Sequence, residues 1–230
     1  MTPRILLIGD SVIDNAAYVA AGEPDVATQV FELLPDATIE LRAVDGSVTS
    51  EVIEQQLHDL AEDDLVVVSS GGNDALRHVG LINGEGSLPF GFALSDLWGL
   101  LQTPDLLVVR LLSHVRQIQS TFRKDYAELL DRVVGCRRRV LCLTIYDPAF
   151  VAHGMSADQQ AAAEAALSLF NDVIQREALA RACRVIEMRT LFDDPQDFAN
   201  PIEPSMIGGA KIAGAIKRWA EEYTEFGGSA

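Results

Sequence analysis

The sequence predicts an α/β protein, a three-layer α/β/α sandwich around a five-stranded parallel sheet. Two patterns carry that reading. Short apolar runs rich in Val, Ile and Leu recur with little polar alternation, as strands covered on both faces require. Longer stretches with helical spacing separate them, so the order reads βαβαβαβαβα. Right-handed crossovers leave few topologies for such a chain, and the strand order 2-1-3-4-5 is expected.

The elements follow in order. The first strand is Arg4–Gly9, four apolar residues running into Gly9-Asp10-Ser11. A helix over Asp25–Leu34 leads to Thr38–Val44, a strand candidate that alternates more than the others. The next helix is Ser50–Leu60, with Ser50 as its start. The strand Asp64–Ser70 precedes Gly80–Gly99, a Gly- and Pro-punctuated excursion long enough to be either a binding loop or a surface irregularity. Ser113–Val134 carries a helical stripe through Val115, Ile118, Phe122, Tyr126, Leu129, Leu130 and Val133. The strand Val140–Ile145, the Ala-rich helix Ala157–Ala182 and the weaker strand Arg184–Met188 come next. The helix Ser205–Trp219, with Ser205 as a candidate N-cap, is the last element.

Composition bounds the partners. The 230 residues are 48% hydrophobic, enough for one large core, and no compositional break calls for a second domain, so residues 1–230 are read as one. Asp and Glu number 34 against 18 Lys and Arg, a net charge of −16. That field repels phosphate backbones and anionic lipid, so neither nucleic acid nor a membrane surface is expected as a partner. Cys136, Cys142 and Cys183 are odd in number and lack CxxC spacing, which argues against a disulfide scaffold or a zinc site. Cys142 reads as a buried core thiol. The strand beginning at Arg4 leaves no room for a signal peptide, no uncharged apolar run reaches a membrane-spanning length, and a cytoplasmic location is expected.

Three strands are followed by unusual clusters: Gly9-Asp10-Ser11, Asp45-Gly46-Ser47 and Gly71-Gly72-Asn73-Asp74. Each alone reads as ordinary turn chemistry. At the carboxyl ends of neighbouring strands, however, all three face one crevice. A serine hydroxyl, a glycine N–H and an asparagine amide then converge, which is the set acyl transfer needs: a nucleophile and preorganised donors for an oxyanion. No Gly-x-Gly-x-x-Gly or Walker-type loop is present, and Asp10 would repel a phosphate in the first loop, so no cofactor is expected.

On these residues the chain resembles the SGNH/GDSL hydrolases, esterases and acyl hydrolases of flavodoxin-like fold. Their first block is matched by Gly9-Asp10-Ser11, their second by Gly46 and their third by Gly71-Gly72-Asn73-Asp74, in order and at suitable spacing. The resemblance implies a serine esterase acting on a small ester or acyl substrate. Ser11 would be the nucleophile, with the Ser11 N–H, the Gly46 N–H and the Asn73 amide as the oxyanion hole. The same resemblance exposes a departure. Where the family carries Asp-x-x-His before the last helix, this chain has Asn200 and Glu203.

That departure sets a question of proton affinity. A general base works best with a pKa near the working pH. A glutamate begins near ~4.3, and a helix N-terminus lowers it while burial raises it. Glu203 is the first candidate base, with a structural role as its alternative. Among the four histidines, His153 follows the fourth strand and is the next candidate base. His78 trails Gly-Asn-Asp, His58 reads as a solvated helix residue and His114 lies near a helix start. Asp10 and Asn200 are further site candidates, and Asp14 and Asn15 either rim the site or start the chain toward its first helix. Asp193, Asp194 and Asp197 form an acidic cluster with oxygen ligands for a cation, although no metal is assigned. An impaired or inactive protein that binds a ligand in the same crevice is the alternative to an enzyme.

Overall fold

The computed structural model describes residues 3–77, 104–135 and 138–226. Five strands, β1 (Arg4–Gly9), β2 (Thr38–Leu41), β3 (Leu65–Ser69), β4 (Arg139–Leu143) and β5 (Arg184–Ile186), form one sheet. Its order is β2-β1-β3-β4-β5 and every pairing is parallel, the predicted topology. The helices are α1 (Val26–Leu33), α2 (Thr49–Gln55), α3 (Gly72–Leu76), α4 (Pro104–Val133), α5 (Ala157–Ala180) and α6 (Met206–Phe226). Short 3-10 turns occur at Val151–His153, Met188–Thr190 and Pro195–Asp197.

The period-2 geometry of the strands divides the core between two faces. Leu6, Ile8, Val66, Val68, Val140 and Cys142 pack on one side, against Val52 of α2, Phe122, Tyr126 and Leu130 of α4, and Phe170 and Ile174 of α5. Ile5, Leu7, Leu65, Val67, Leu141 and Leu143 pack on the other, against Val26 and Val30 of α1 and Ile212, Ile216 and Trp219 of α6. Helices on both faces are why these strands are apolar throughout. The stripe read from Ser113–Val134 is buried from Phe122 to Val133, with Ile118 partly buried beside it. Cys142 is a buried free thiol, as expected.

Several boundaries differ from expectation. β2 stops at Leu41 because the N–H groups of Arg42 and Ala43 both bond to the Leu7 carbonyl, a bulge that turns the chain out of register. β5 ends at Ile186, and Met188 opens a 3-10 turn capped by Glu187. α2 begins at Thr49, not Ser50. Asp74, from a different loop, accepts the Thr49 N–H at 3.0 Å, and Glu51 accepts the Val48 N–H at 3.0 Å. α4 is described from Pro104, well before Ser113. Ser205 caps α6 as predicted, its hydroxyl accepting the N–H groups of Ile207 and Gly208 at 3.1 and 3.3 Å. The Gly80–Gly99 excursion, His78, Cys136 and the side chains of Val115 and His114 lie outside the described residues. Among the described residues no helix is long and apolar enough to cross a membrane.

Candidate active site

The carboxyl edge of the sheet gathers the predicted residues. β1 ends at Gly9, whose φ of +136° and whose approach to β3 exclude a side chain: a Cβ there would lie 1.8 Å from the Ser69 carbonyl oxygen. This close contact turns the chain sharply, so that Asp10 and Ser11 leave the strand at once. Asp10 accepts the Val12 N–H at 3.2 Å and the Ser69 hydroxyl at 3.1 Å through Oδ1. It is 2% exposed. Burial lifts its carboxyl to about 7 against the lowering effect of those two bonds, and the charges of Glu203 and Asp74 add to the rise.

The Ser11 hydroxyl donates to Glu203 Oε1 at 3.1 Å, across 192 residues of sequence. Glu203 is 7% exposed. Burial raises its carboxyl to about 7, the Ser11 bond lowers it, and the Asp45 charge adds to the rise. Burial is the largest influence on it. The second oxygen, Oε2, is buried without a hydrogen-bond partner among the described residues.

The loop that carries Glu203 is held at consecutive carbonyls. Ala149 N–H bonds to Pro201 at 2.8 Å, the Tyr146 hydroxyl to Ile202 at 2.7 Å, Ala199 N–H to Glu203 at 2.9 Å and Asn15 Nδ2 to Pro204 at 3.2 Å. Asn200 does not reach the Glu203 carboxyl as an orienting group. Its Oδ1 accepts the N–H groups of Ile202 and Glu203, both at 3.0 Å, and so folds the loop from within. Asn15, expected only to rim the site or begin a helix, is a fully buried clamp that also accepts the Val26 N–H at 2.8 Å. Tyr146 and Asn15 carry no local motif, and only their long-range bonds reveal the role.

Gly46 sits in a turn closed by Ser47 N–H on the Val44 carbonyl at 3.1 Å, and its φ of +79° suits glycine at the third position of a type II turn. Asp14 secures this loop by accepting the Asp45 N–H at 2.9 Å. Asn73 Nδ2 donates to the Ser47 carbonyl at 3.0 Å, which fixes the amide and leaves its second proton unassigned among the described residues. Neither the Ser11 N–H nor the Gly46 N–H has a partner among the described residues. Thr49 Oγ1 bonds Asp74 at 2.9 Å and Ser70 Oγ at 2.8 Å, joining the loops after β2 and β3.

Asp10, Ser11, Asn73 and Glu203 line a cleft of about 80 Å³ whose other walls include Val12, Leu76, Ile145, Tyr146, Phe150, Leu167 and Ile202. The walls are almost wholly apolar, which accounts for the desolvated carboxyls. His153 does not belong to this constellation. It ends the 3-10 turn Val151–His153 with its residue exposed, and it is not part of the cleft wall. His58 lies beyond the end of α2, exposed, and is not part of the cleft wall. The acidic cluster is engaged within the protein: Lys211 Nζ bonds Asp193 at 2.5 Å and Asp197 at 2.7 Å, and Asp194 caps its own 3-10 turn. Among the described residues no three His, Cys, Asp or Glu side chains are grouped to hold a metal ion.

Comparison with known proteins bears on the family and the fold. The family model described as the GDSL-like lipase/acylhydrolase family matches residues 7–205. No curated protein matches the sequence. Among solved structures, phospholipase A1 from Streptomyces albidoflavus NA297 superposes with a TM-score of 0.64 at 17% identity, covering 94% of this chain and 100% of that one. The lipase Lip_vut3 from a goat rumen metagenome gives 0.65 at 17% identity, with 96% and 98% covered. The acetyl xylan esterase AlAXEase gives 0.60 at 17% identity, with 95% and 98% covered. At these identities the superpositions establish the shared fold, and the match over residues 7–205 establishes descent: the chain belongs to the GDSL-like lipase/acylhydrolase family, the SGNH hydrolases.

Proposed function

We propose that this protein is a serine esterase in which Glu203 replaces the histidine base. The observation that carries the reading is the Ser11–Glu203 hydrogen bond of 3.1 Å inside an apolar cleft. A carboxyl raised to about 7 is a far better proton acceptor for a hydroxyl than one near its ordinary value. In this mechanism the ionised Glu203 takes the Ser11 proton through Oε1 as Oγ attacks the acyl carbon. The negative charge that develops on the carbonyl oxygen is met by the Ser11 N–H, the Gly46 N–H and the free proton of Asn73 Nδ2. Collapse of the intermediate expels the alcohol, which takes the proton from Glu203. A water, deprotonated by the same carboxylate, then releases the acid and restores Ser11.

The apolar cleft and the two near-neutral carboxyls on its wall favour an uncharged acyl group and disfavour an anionic one. Asp10 acts as support for the turn, not as a second base, because Oδ1 is occupied by Val12 and Ser69. The test is hydrolysis of p-nitrophenyl acetate and butyrate by the protein and by Ser11→Ala. The reading expects Ser11→Ala to lose at least about 10³-fold in kcat. Equal, slow hydrolysis by both would instead favour a protein that binds its ligand in this cleft without turnover.

A further inference from the structure

We propose that Gln56 is a positioning residue for Ser11, its carboxamide bonding both backbone groups of Gly9. The inference rests on the reading of Ser11 as nucleophile. β1 and β2 stay in register only through Leu7 and Leu41, and beyond the bulge at Arg42 and Ala43 the chain still donates the Val44 N–H to the Gly9 carbonyl at 3.1 Å. The Gly9 N–H, two residues before Ser11, has no backbone acceptor there among the described residues. Gln56, at the end of α2 and 2% exposed, fills the gap. Its Oε1 accepts the Gly9 N–H at 2.7 Å and its Nε2 donates to the Gly9 carbonyl at 2.9 Å. Nε2 also makes a longer contact of 3.4 Å to Ser47 Oγ, next to Gly46.

One buried amide therefore touches both the turn that carries Ser11 and the loop that carries Gly46. Gln56 is itself anchored, since its carbonyl accepts from the buried Arg42 Nη1 at 3.2 Å. A backbone held at an uncommon φ persists only when its surroundings over-determine it. At Gly9 the two carboxamide bonds join the Val44 N–H bond in supplying that constraint. The same device recurs at the end of β4, where Asn171 accepts the Ile145 N–H at 2.7 Å and donates to the Ile145 carbonyl at 2.8 Å, fixing a residue of the cleft wall. A helical carboxamide that completes a strand end is thus used twice at the reactive edge.

Two substitutions separate positioning from bulk stability. Gln56→Leu removes both bonds. Gln56→Glu keeps the donor–acceptor pair only while the introduced carboxyl is protonated; once ionised, it can only accept and it faces the Gly9 carbonyl. Arg42, paired with Glu40, and the buried Asp10 carboxyl next to Gly9 are the charged groups at this point. They act in opposite senses on that ionisation.

The experiment measures kcat and KM for p-nitrophenyl butyrate, and the rate at which a fluorophosphonate labels Ser11 with loss of fluoride, from about pH 5.5 to pH 9. For Gln56→Leu the expectation is a kcat about 100-fold lower, KM within about twofold of wild type, and labelling slowed by the same factor as kcat. The ratio of Gln56→Glu to wild type should stand near one at the acid end and fall at least about tenfold as pH rises. Wild-type kcat and labelling in folded Gln56→Leu, or a Gln56→Glu ratio that does not move with pH, overturns the proposal. Should Gln56→Leu fail to fold, the Gln56→Glu ratio decides alone. Ser11→Ala keeps the two claims apart. If it hydrolyses as fast as wild type, the nucleophile reading fails. If it is inactive while Gln56→Leu behaves as wild type, only the role of Gln56 fails.

Discussion

Glu203→Gln is expected to impair catalysis and to gain stability relative to wild type as pH rises. The carboxyl is raised from 4.5 to about 7 by burial, so the folded state binds its proton more tightly than the unfolded chain does. A raised carboxyl pKa makes stability fall as pH increases from the unfolded value to the folded one. The cost is absent below about 4.5, grows between about 4.5 and 7, and is complete above. At 1.36 kcal/mol per pKa unit, the shift corresponds to about 3 kcal/mol. Glutamine cannot ionise and escapes this cost. Its buried Nε2 brings a constant penalty of its own, which cancels when the wild-type-to-variant difference is compared across pH. The stability of Glu203→Gln relative to wild type should therefore improve by about 3 kcal/mol between pH 4.5 and pH 8.5, or roughly 6–12 °C in Tm for a chain of this size. Calorimetry of both proteins at the two pH values measures it. A difference that stays constant with pH would refute the assignment of a buried carboxyl that ionises near neutrality.

Three further outcomes follow from the same contacts. Asn73→Ala should lower kcat about 10²–10³-fold with the fold intact, because it deletes one oxyanion donor and its anchor to Ser47; steady-state kinetics beside circular dichroism checks this. Gly9→Ala should cost about 4 kcal/mol or more, since a Cβ would meet the Ser69 carbonyl at 1.8 Å; urea unfolding, or failure to obtain folded protein, reads it. Asn200→Ala should lower kcat while changing stability by only about 1–2 kcal/mol, because the two N–H groups it caps lie in the loop that aims Glu203; parallel kinetic and unfolding measurements separate the effects.

The fold was legible where single elements decide it. β1, β3 and β4 announce themselves as apolar runs because helices cover both faces, and Ser205 announces the start of α6. Strand and helix limits were less legible where a distant group sets them. α2 begins at Thr49 because Asp74 caps it from the next loop, and β2 ends because of a bulge against Leu7. In the site, Ser11 and Glu203 were candidates from sequence, and they meet in the structure. The proton affinity of Glu203 was not legible, because its rise comes first from burial, and only the packed cleft shows how deeply the carboxyl is buried. Gln56 gave no signal, because a glutamine at a helix end reads as solvent-facing until its carboxamide is seen to bond both backbone groups of Gly9.

The rate at which Ser11 is labelled by a fluorophosphonate, followed against pH by intact mass and peptide mapping, bears most directly on the Ser11–Glu203 pair. The account predicts one label on Ser11, a rate that climbs through about pH 7 to a plateau as Glu203 ionises, and a slow, pH-independent rate in Glu203→Gln. No labelling of Ser11, or the same rate and pH profile with and without the Glu203 carboxylate, would contradict it.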